Sequence, residues 1–140
     1  VTPIAMVRAI GGIASRGTLV TPHLLKDETN PELLKIQPLK FRNEDYQVVH
    51  EGMRLVVTES TGHVLDVSYV TFAAKSGTAQ VGISKSLVNS WVVGFFPYEH
   101  PKYAFVVMME AGKANAVTSA ASAMRHALEE MYTTAPEYFK

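Results

Sequence analysis

The sequence contains no cysteine, so a disulfide scaffold, a thiol nucleophile and a Cys-ligated zinc site are all excluded. It carries no net charge either. Thirteen Lys and Arg balance 13 Asp and Glu, which leaves no basic excess for a nucleic-acid footprint, and no nucleic-acid partner is expected. No apolar run reaches the ~18–20 residues that a membrane span needs. His23, His50, His63, His100 and His126 show no metal-ligand spacing: no two lie four apart and no His-Glu-x-x-His run exists. A Gly-x-x-x-x-Gly-Lys-Ser/Thr phosphate loop is also missing, and no cofactor or metal is expected. The chain opens on Val1-Thr2-Pro3, without an initiator Met or a signal peptide, and reads as an excised or processed piece.

What the chain does have is a core. Of its 140 residues 47% are apolar and 19% charged, the balance of one folded domain or a part of one. Thr2-Pro3 predicts a helix start, since Thr caps well and Pro fits the first helical position, where its missing N–H has no partner. Met6, Val7, Ile10 and Ile13 make an apolar stripe, Gly11-Gly12 suggest close packing, and Gly17 marks the stop. Thr18 to Leu25 reads as an extended connector that Pro22 keeps out of a sheet interior. Lys26 to Lys40, broken by Asn30-Pro31 and Gln37-Pro38, reads as a surface excursion pinned by Ile36 and Leu39. Asn43 is expected to cap a second helix, with Glu44 and Asp45 in its first turn, a stripe of Tyr46, Val49, Met53 and Val56, and a stop at Ser60-Thr61-Gly62.

The second half changes period. Val70 to Val81, Leu87 to Phe96 and Lys102 to Ala111 read as strands, and Pro97-Tyr98-Glu99-His100-Pro101 as the tight link of an antiparallel hairpin. Tyr103 to Met109 is apolar on both faces, which predicts cover on both sides. A last helix is expected from about Val117 to Tyr132, on a stripe of Val117, Ala121, Met124, Leu128 and Met131. Helices, then strands, then a closing helix give an α+β fold.

The chemistry concentrates in Lys75-Ser76-Gly77-Thr78, which follows the apolar start of a predicted strand. A strand broken by a small polar bulge would read the same way. The functional reading is that Gly77 lets a ligand approach the backbone. A Lys beside two hydroxyls and bare N–H groups suits a carboxylate and a developing oxyanion. Other candidates are weaker. A triad on Ser90 and Asp66 lacks a Gly-x-Ser-x-Gly elbow. Trp91 reads as a core anchor, and His126 as a partly exposed helix residue.

With this tetrapeptide in view the sequence resembles the C-terminal part of the transpeptidase domain of class B penicillin-binding proteins. Lys75-Ser76-Gly77-Thr78 matches the Lys-Thr-Gly element of that superfamily, with Ser at the middle position. The other landmarks follow in the family's order: Thr2-Pro3-Ile4 through Gly17-Thr18-Leu19-Val20, Pro22-His23-Leu24-Leu25, Gly52-Met53-Arg54-Leu55-Val56-Val57, Ser90 to Tyr98, and Met109-Glu110-Ala111-Gly112. The pieces Pro22-His23-Leu24-Leu25 and Lys75 to Val81 lean toward the elongation-type subgroup. The family's nucleophile motif, Ser-x-x-Lys, and its Ser-x-Asn motif are both absent: none of the nine serines has Lys at the third or Asn at the second following position.

The resemblance thus implies that residues 1–140 are the C-terminal part of a transpeptidase domain without its nucleophile-bearing part, built as an antiparallel three-stranded sheet with packed helices. It implies a parent enzyme that cross-links peptidoglycan stem peptides through a serine acyl-enzyme and binds β-lactams. That parent would work on the extracytoplasmic face of the bacterial membrane, anchored upstream of this chain, among other cell-wall synthesis proteins. The Thr78 backbone N–H would be one of two oxyanion donors. The Ser76 and Thr78 hydroxyls would bind the substrate carboxylate, Lys75 would supply positive potential and a proton contact, and Gly77 would keep the strand edge open. The isolated chain is expected to be inactive, and its last strand, deprived of the neighbour the family gives it, to self-associate edge to edge. The alternative is a non-catalytic interaction or scaffold domain of the same fold.

Overall fold

The computed structural model describes residues 1–83, 86–113 and 118–139. Helix α1 (Pro3–Ala14) begins as the Thr-Pro pair dictates, with Thr2 Oγ1 accepting from the Ala5 N–H at 3.4 Å and Pro3 in the first turn. It ends at Ala14, and the chain turns away at Gly17, whose φ of +113° favours glycine and whose missing side chain leaves room for the Tyr46 hydroxyl. Close packing falls on Gly12 alone, where a β-carbon would lie 3.1–3.2 Å from Leu19 and Leu39.

The connector and excursion contain one short ladder that the sequence does not announce, β1 (Thr18–Leu19) antiparallel to β2 (Gln37–Pro38). Leu39 docks, its N–H on the Gly17 carbonyl at 2.8 Å, whereas Ile36 is exposed and pins nothing.

Helix α2 spans Asn43–Glu59. Its cap is Arg42, not Asn43: the Asp45 carboxylate accepts from the Arg42 N–H at 3.2 Å and pairs with its guanidinium at 2.8 Å. That pairing holds Asp45 below the usual carboxylate range. The buried stripe is Tyr46, His50, Met53 and Val57: Tyr46 and Met53 are as expected, while His50 and Val57 take the places of Val49, which is exposed, and Val56, which is half-buried. His50 fits this apolar face because its Nε2 lies 2.8 Å from the Ile13 carbonyl oxygen and its ring packs on Phe95.

The main sheet has the order β3 (Ala73–Val81), β4 (Leu87–Phe96), β5 (Tyr103–Lys113), all antiparallel. β4 has the expected bounds. β3 starts three residues later than Val70: the β4 register puts Phe72 opposite Phe96, the last residue of β4, and carries residues 70 and 71 past its end. The Tyr98 N–H bonds to the Thr71 carbonyl instead, while Val70 and Phe72 are buried as core without being strand. β5 runs two residues past Ala111, since Lys113 pairs with Leu87. Helix α3 is Ala120–Thr134, capped by Ser119; Val117 lies outside the described residues.

Ala73 and Ala74, adjacent on β3 and fully buried, point to opposite faces and belong to two different cores. One joins Phe72, Val92, Phe96 and Phe105 to Met124 and Leu128 of α3. The other joins Phe95 to Ile10 of α1 and Met53 of α2. Because α2 gives Met53 to one and Val57 to the other, it is set against the β3 side of the sheet. β5 is covered only in part: Phe105 is buried, but Val106 to Met109 are half-exposed.

Candidate active site

Among the described residues β3 has a strand partner on one side only, so Lys75-Ser76-Gly77-Thr78 lies on a sheet edge. Pairing to β4 sets Lys75 opposite Val93, Gly77 opposite Trp91 and Thr78 opposite Ser90. Strand alternation sends Lys75 and Gly77 to the α1 face and Ser76 and Thr78 to the α3 face. The ammonium and the hydroxyls therefore share no face. A ligand touching all of them has to lie along the open edge.

On the α1 face the motif borders a cleft of about 540 Å³, walled by Met6, Lys75, Gly77, Ala79, Trp91 and Val93. Trp91 is half-buried and belongs to neither core, so it is a wall of the cleft and not the core anchor expected from sequence. Lys75 is exposed, and its Nζ donates to the Ser76 carbonyl at 2.6 Å. Gly77 is not demanded by packing, since a β-carbon there would meet only Trp91 Cβ at 3.8 Å. On the α3 face a smaller recess of about 150 Å³ is lined by Thr78, Ser90 and Ser119 among others.

The Ser90–Asp66 triad does not form. Ser90 Oγ accepts from the Ala120 N–H at 3.0 Å, at the start of α3, and Asp66 pairs with Arg54 at 3.7 Å. His126 is exposed on α3. Among the described residues no group of three or more His, Asp or Glu is placed to hold a metal ion, and no helix is long and apolar enough to cross a membrane.

Two residues that hold the motif strand were not singled out from sequence. Arg54 reaches from α2 to the Phe72 carbonyl at 3.0 Å, just before β3. Thr61, in the turn after α2, sets its Oγ1 2.7 Å from Ser76 Oγ. A lone Arg in the apolar run of residues 52–57 was a usable signal for the first; nothing in the sequence marks the second.

Residues 1–129 match the family described as the penicillin binding protein transpeptidase domain. Stage V sporulation protein D of Bacillus subtilis is 31% identical over 125 residues, covering 81% of this chain and 19% of that protein. Peptidoglycan D,D-transpeptidase MrdA of Haemophilus influenzae is 27% identical over 164 residues, covering 98% of this chain and 25% of that protein. Among solved structures, penicillin-binding protein PBP2 of Helicobacter pylori superposes with a TM-score of 0.74 at 26% identity, over 96% of this chain and 24% of that one. Penicillin-binding protein A of M. tuberculosis, solved as an imipenem acyl-enzyme, gives 0.73 at 25% identity, over 92% of this chain and 30% of that one. The chain thus spans about a fifth to a quarter of the curated relatives' length. The MrdA matches fit the elongation-type lean of the sequence, and with the family match running from residue 1 to residue 129 the chain belongs to the transpeptidase domain family of the class B penicillin-binding proteins.

Proposed function

We propose that residues 1–140 are the C-terminal part of the transpeptidase domain of a peptidoglycan D,D-transpeptidase, and that they form one wall of its active site. The observation that carries this reading is the position of Lys75-Ser76-Gly77-Thr78 on a sheet edge, beside an open cleft, in a chain of this family. In the intact enzyme a serine outside this chain attacks the carbonyl of a D-Ala–D-Ala amide. The tetrahedral oxyanion collapses, the terminal D-Ala leaves with its amine protonated, and an acyl-enzyme remains. The amine of a second stem peptide then displaces the serine, which makes the cross-link. β-Lactams acylate the same serine.

Each motif residue has a separate task. The Thr78 N–H donates to the oxyanion. Backbone groups two residues apart on a strand point the same way, so an edge that offers the Ser76 carbonyl to Lys75 Nζ also offers the Thr78 N–H, which supports that role. The Ser76 and Thr78 hydroxyls donate to the terminal carboxylate from the α3 side, and the Lys75 charge supports the same carboxylate and a proton contact from the α1 side. Gly77 leaves the edge bare, consistent with a glycine that packing does not require. The parent works outside the cytoplasmic membrane, anchored upstream of this segment and alongside other cell-wall synthesis proteins.

A fluorescent penicillin tests the reading. Incubated with the 140-residue chain and then denatured, it leaves no label on any of the nine serines. Incubated with the longer protein, it labels the serine of a Ser-x-x-Lys motif. A stable label on a serine of this chain would put a nucleophile inside it and overturn the proposal; no label on the longer protein overturns it too and favours a non-catalytic domain of the same fold.

A further inference from the structure

We propose that Thr61 is a positioning residue for the motif, its hydroxyl donating to Ser76 so that Ser76 directs its own proton at the ligand carboxylate. The inference rests on the transpeptidase reading above and adds to it a residue outside the motif. Thr61 Oγ1 and Ser76 Oγ lie 2.7 Å apart across 15 residues of sequence, a distance at which one hydroxyl must donate to the other. A carboxylate has no proton to give. If Ser76 binds it, Ser76 donates outward, and the inner bond must run from Thr61 to Ser76. Two hydroxyls in series polarise each other in that direction.

The turn that presents Thr61 is itself fixed. The Gly62 N–H donates to the Val56 carbonyl at 2.9 Å, and a β-carbon on Gly62 would lie 3.0 Å from that same oxygen, so the chain passes tight against the end of α2. The His63 and Leu65 N–H groups close on Ser60 and Gly62, and the Leu65 side chain is fully buried. Arg54 supplies the second attachment, at Phe72. Helix α2 and the turn after it therefore hold the chain at Phe72, just before the motif strand, and at Ser76 within it, and a donor held by packed neighbours is what a site needs to act without reorganising.

The test uses the longer transpeptidase with Thr61→Val, which keeps shape and removes the hydroxyl, Thr61→Ser, which restores it, and Lys75→Ala. Acylation is measured with a penicillin and with its methyl ester, whose carboxylate is masked. Thr61→Val is expected to slow acylation by the penicillin about five- to tenfold. The ester should change little, and Thr61→Ser should restore the penicillin rate to within about twofold. A purely structural role would slow both substrates together and lower the melting temperature. An unchanged ratio of penicillin to ester rates in Thr61→Val, with Lys75→Ala impaired, overturns this inference alone. If Lys75→Ala acylates normally, the transpeptidase reading fails and this inference with it.

Discussion

Phe105 lies hard against Gly94: a β-carbon on residue 94 would stand 2.8 Å from two of its ring atoms and 2.3 Å from the Ala73 carbonyl oxygen. The ring can shift, but the carbonyl belongs to the first residue of the motif strand. Gly94→Ala should therefore destabilise at the upper end of the about 1–3 kcal/mol typical of overpacking. That corresponds to a melting temperature lower by roughly 10 °C. Gly77→Ala is the comparison, since its β-carbon meets only Trp91 Cβ at 3.8 Å. It should melt close to the parent chain and, in the longer enzyme, acylate more slowly. Thermal unfolding that failed to separate the two variants would contradict this account of the two glycines.

Lys75 and Thr78 should be separable by kinetics. Lys75→Ala removes charge and a proton contact, so the acylation step in the longer enzyme should slow by about a hundredfold. Thr78→Val keeps the backbone donor and loses one carboxylate contact, so its loss should be about tenfold and fall on the binding constant. Acylation rates against β-lactam concentration resolve the two. Small and equal effects would mean that the motif has been assigned the wrong task.

The helices and strands were legible because their signals are local: Thr2-Pro3 for a start, a 3.6-residue stripe, and runs rich in Val, Phe, Tyr and Trp for the strands. The errors came where partners decide. Residues 70 and 71 have strand composition but run past the end of β4 at Phe96, and His50 looks polar yet occupies the apolar face because the Ile13 carbonyl meets its ring. The motif was legible as a tetrapeptide. That its Lys and its hydroxyls leave the strand on opposite sides followed only once the strand and its free edge were known. Thr61, 15 residues away, carries no local mark at all.

Acid should loosen the β4–β5 hairpin through Glu99. The Thr71 hydroxyl donates to its carboxylate, and that bond, the largest influence on it, holds Glu99 below the ordinary carboxylate range. A folded value below the unfolded one stabilises above the unfolded pKa, and that contribution is lost as pH falls through the folded value. Thr71 also accepts from the Tyr98 N–H at 3.1 Å, so the same side chain ties the hairpin to the entry of β3. Unfolding free energy should therefore decline on acidification below about pH 4.5, and Thr71→Val should flatten that decline relative to the parent chain. An identical slope in the two proteins would remove Glu99 from the explanation.

β5 should govern the behaviour of the isolated chain in solution. Among the described residues only one of its edges is paired, to β4. It is also the longest strand, Tyr103–Lys113, and side chains from Val106 to Met109 remain half-exposed on both faces. A long apolar edge with unpaired N–H and C=O groups is a template for another strand, and the partner always present at high concentration is a second copy of the same edge. The chain should associate edge to edge at micromolar concentration. Val107→Lys places a charge in that seam and should shift light scattering toward monomer, without touching the motif strand. If the parent chain were monodisperse and monomeric, the edge would have to be covered within the chain itself. If Val107→Lys scattered like the parent, the association would run through another surface, and the exposed leucines at 24 and 25 would be the next to change.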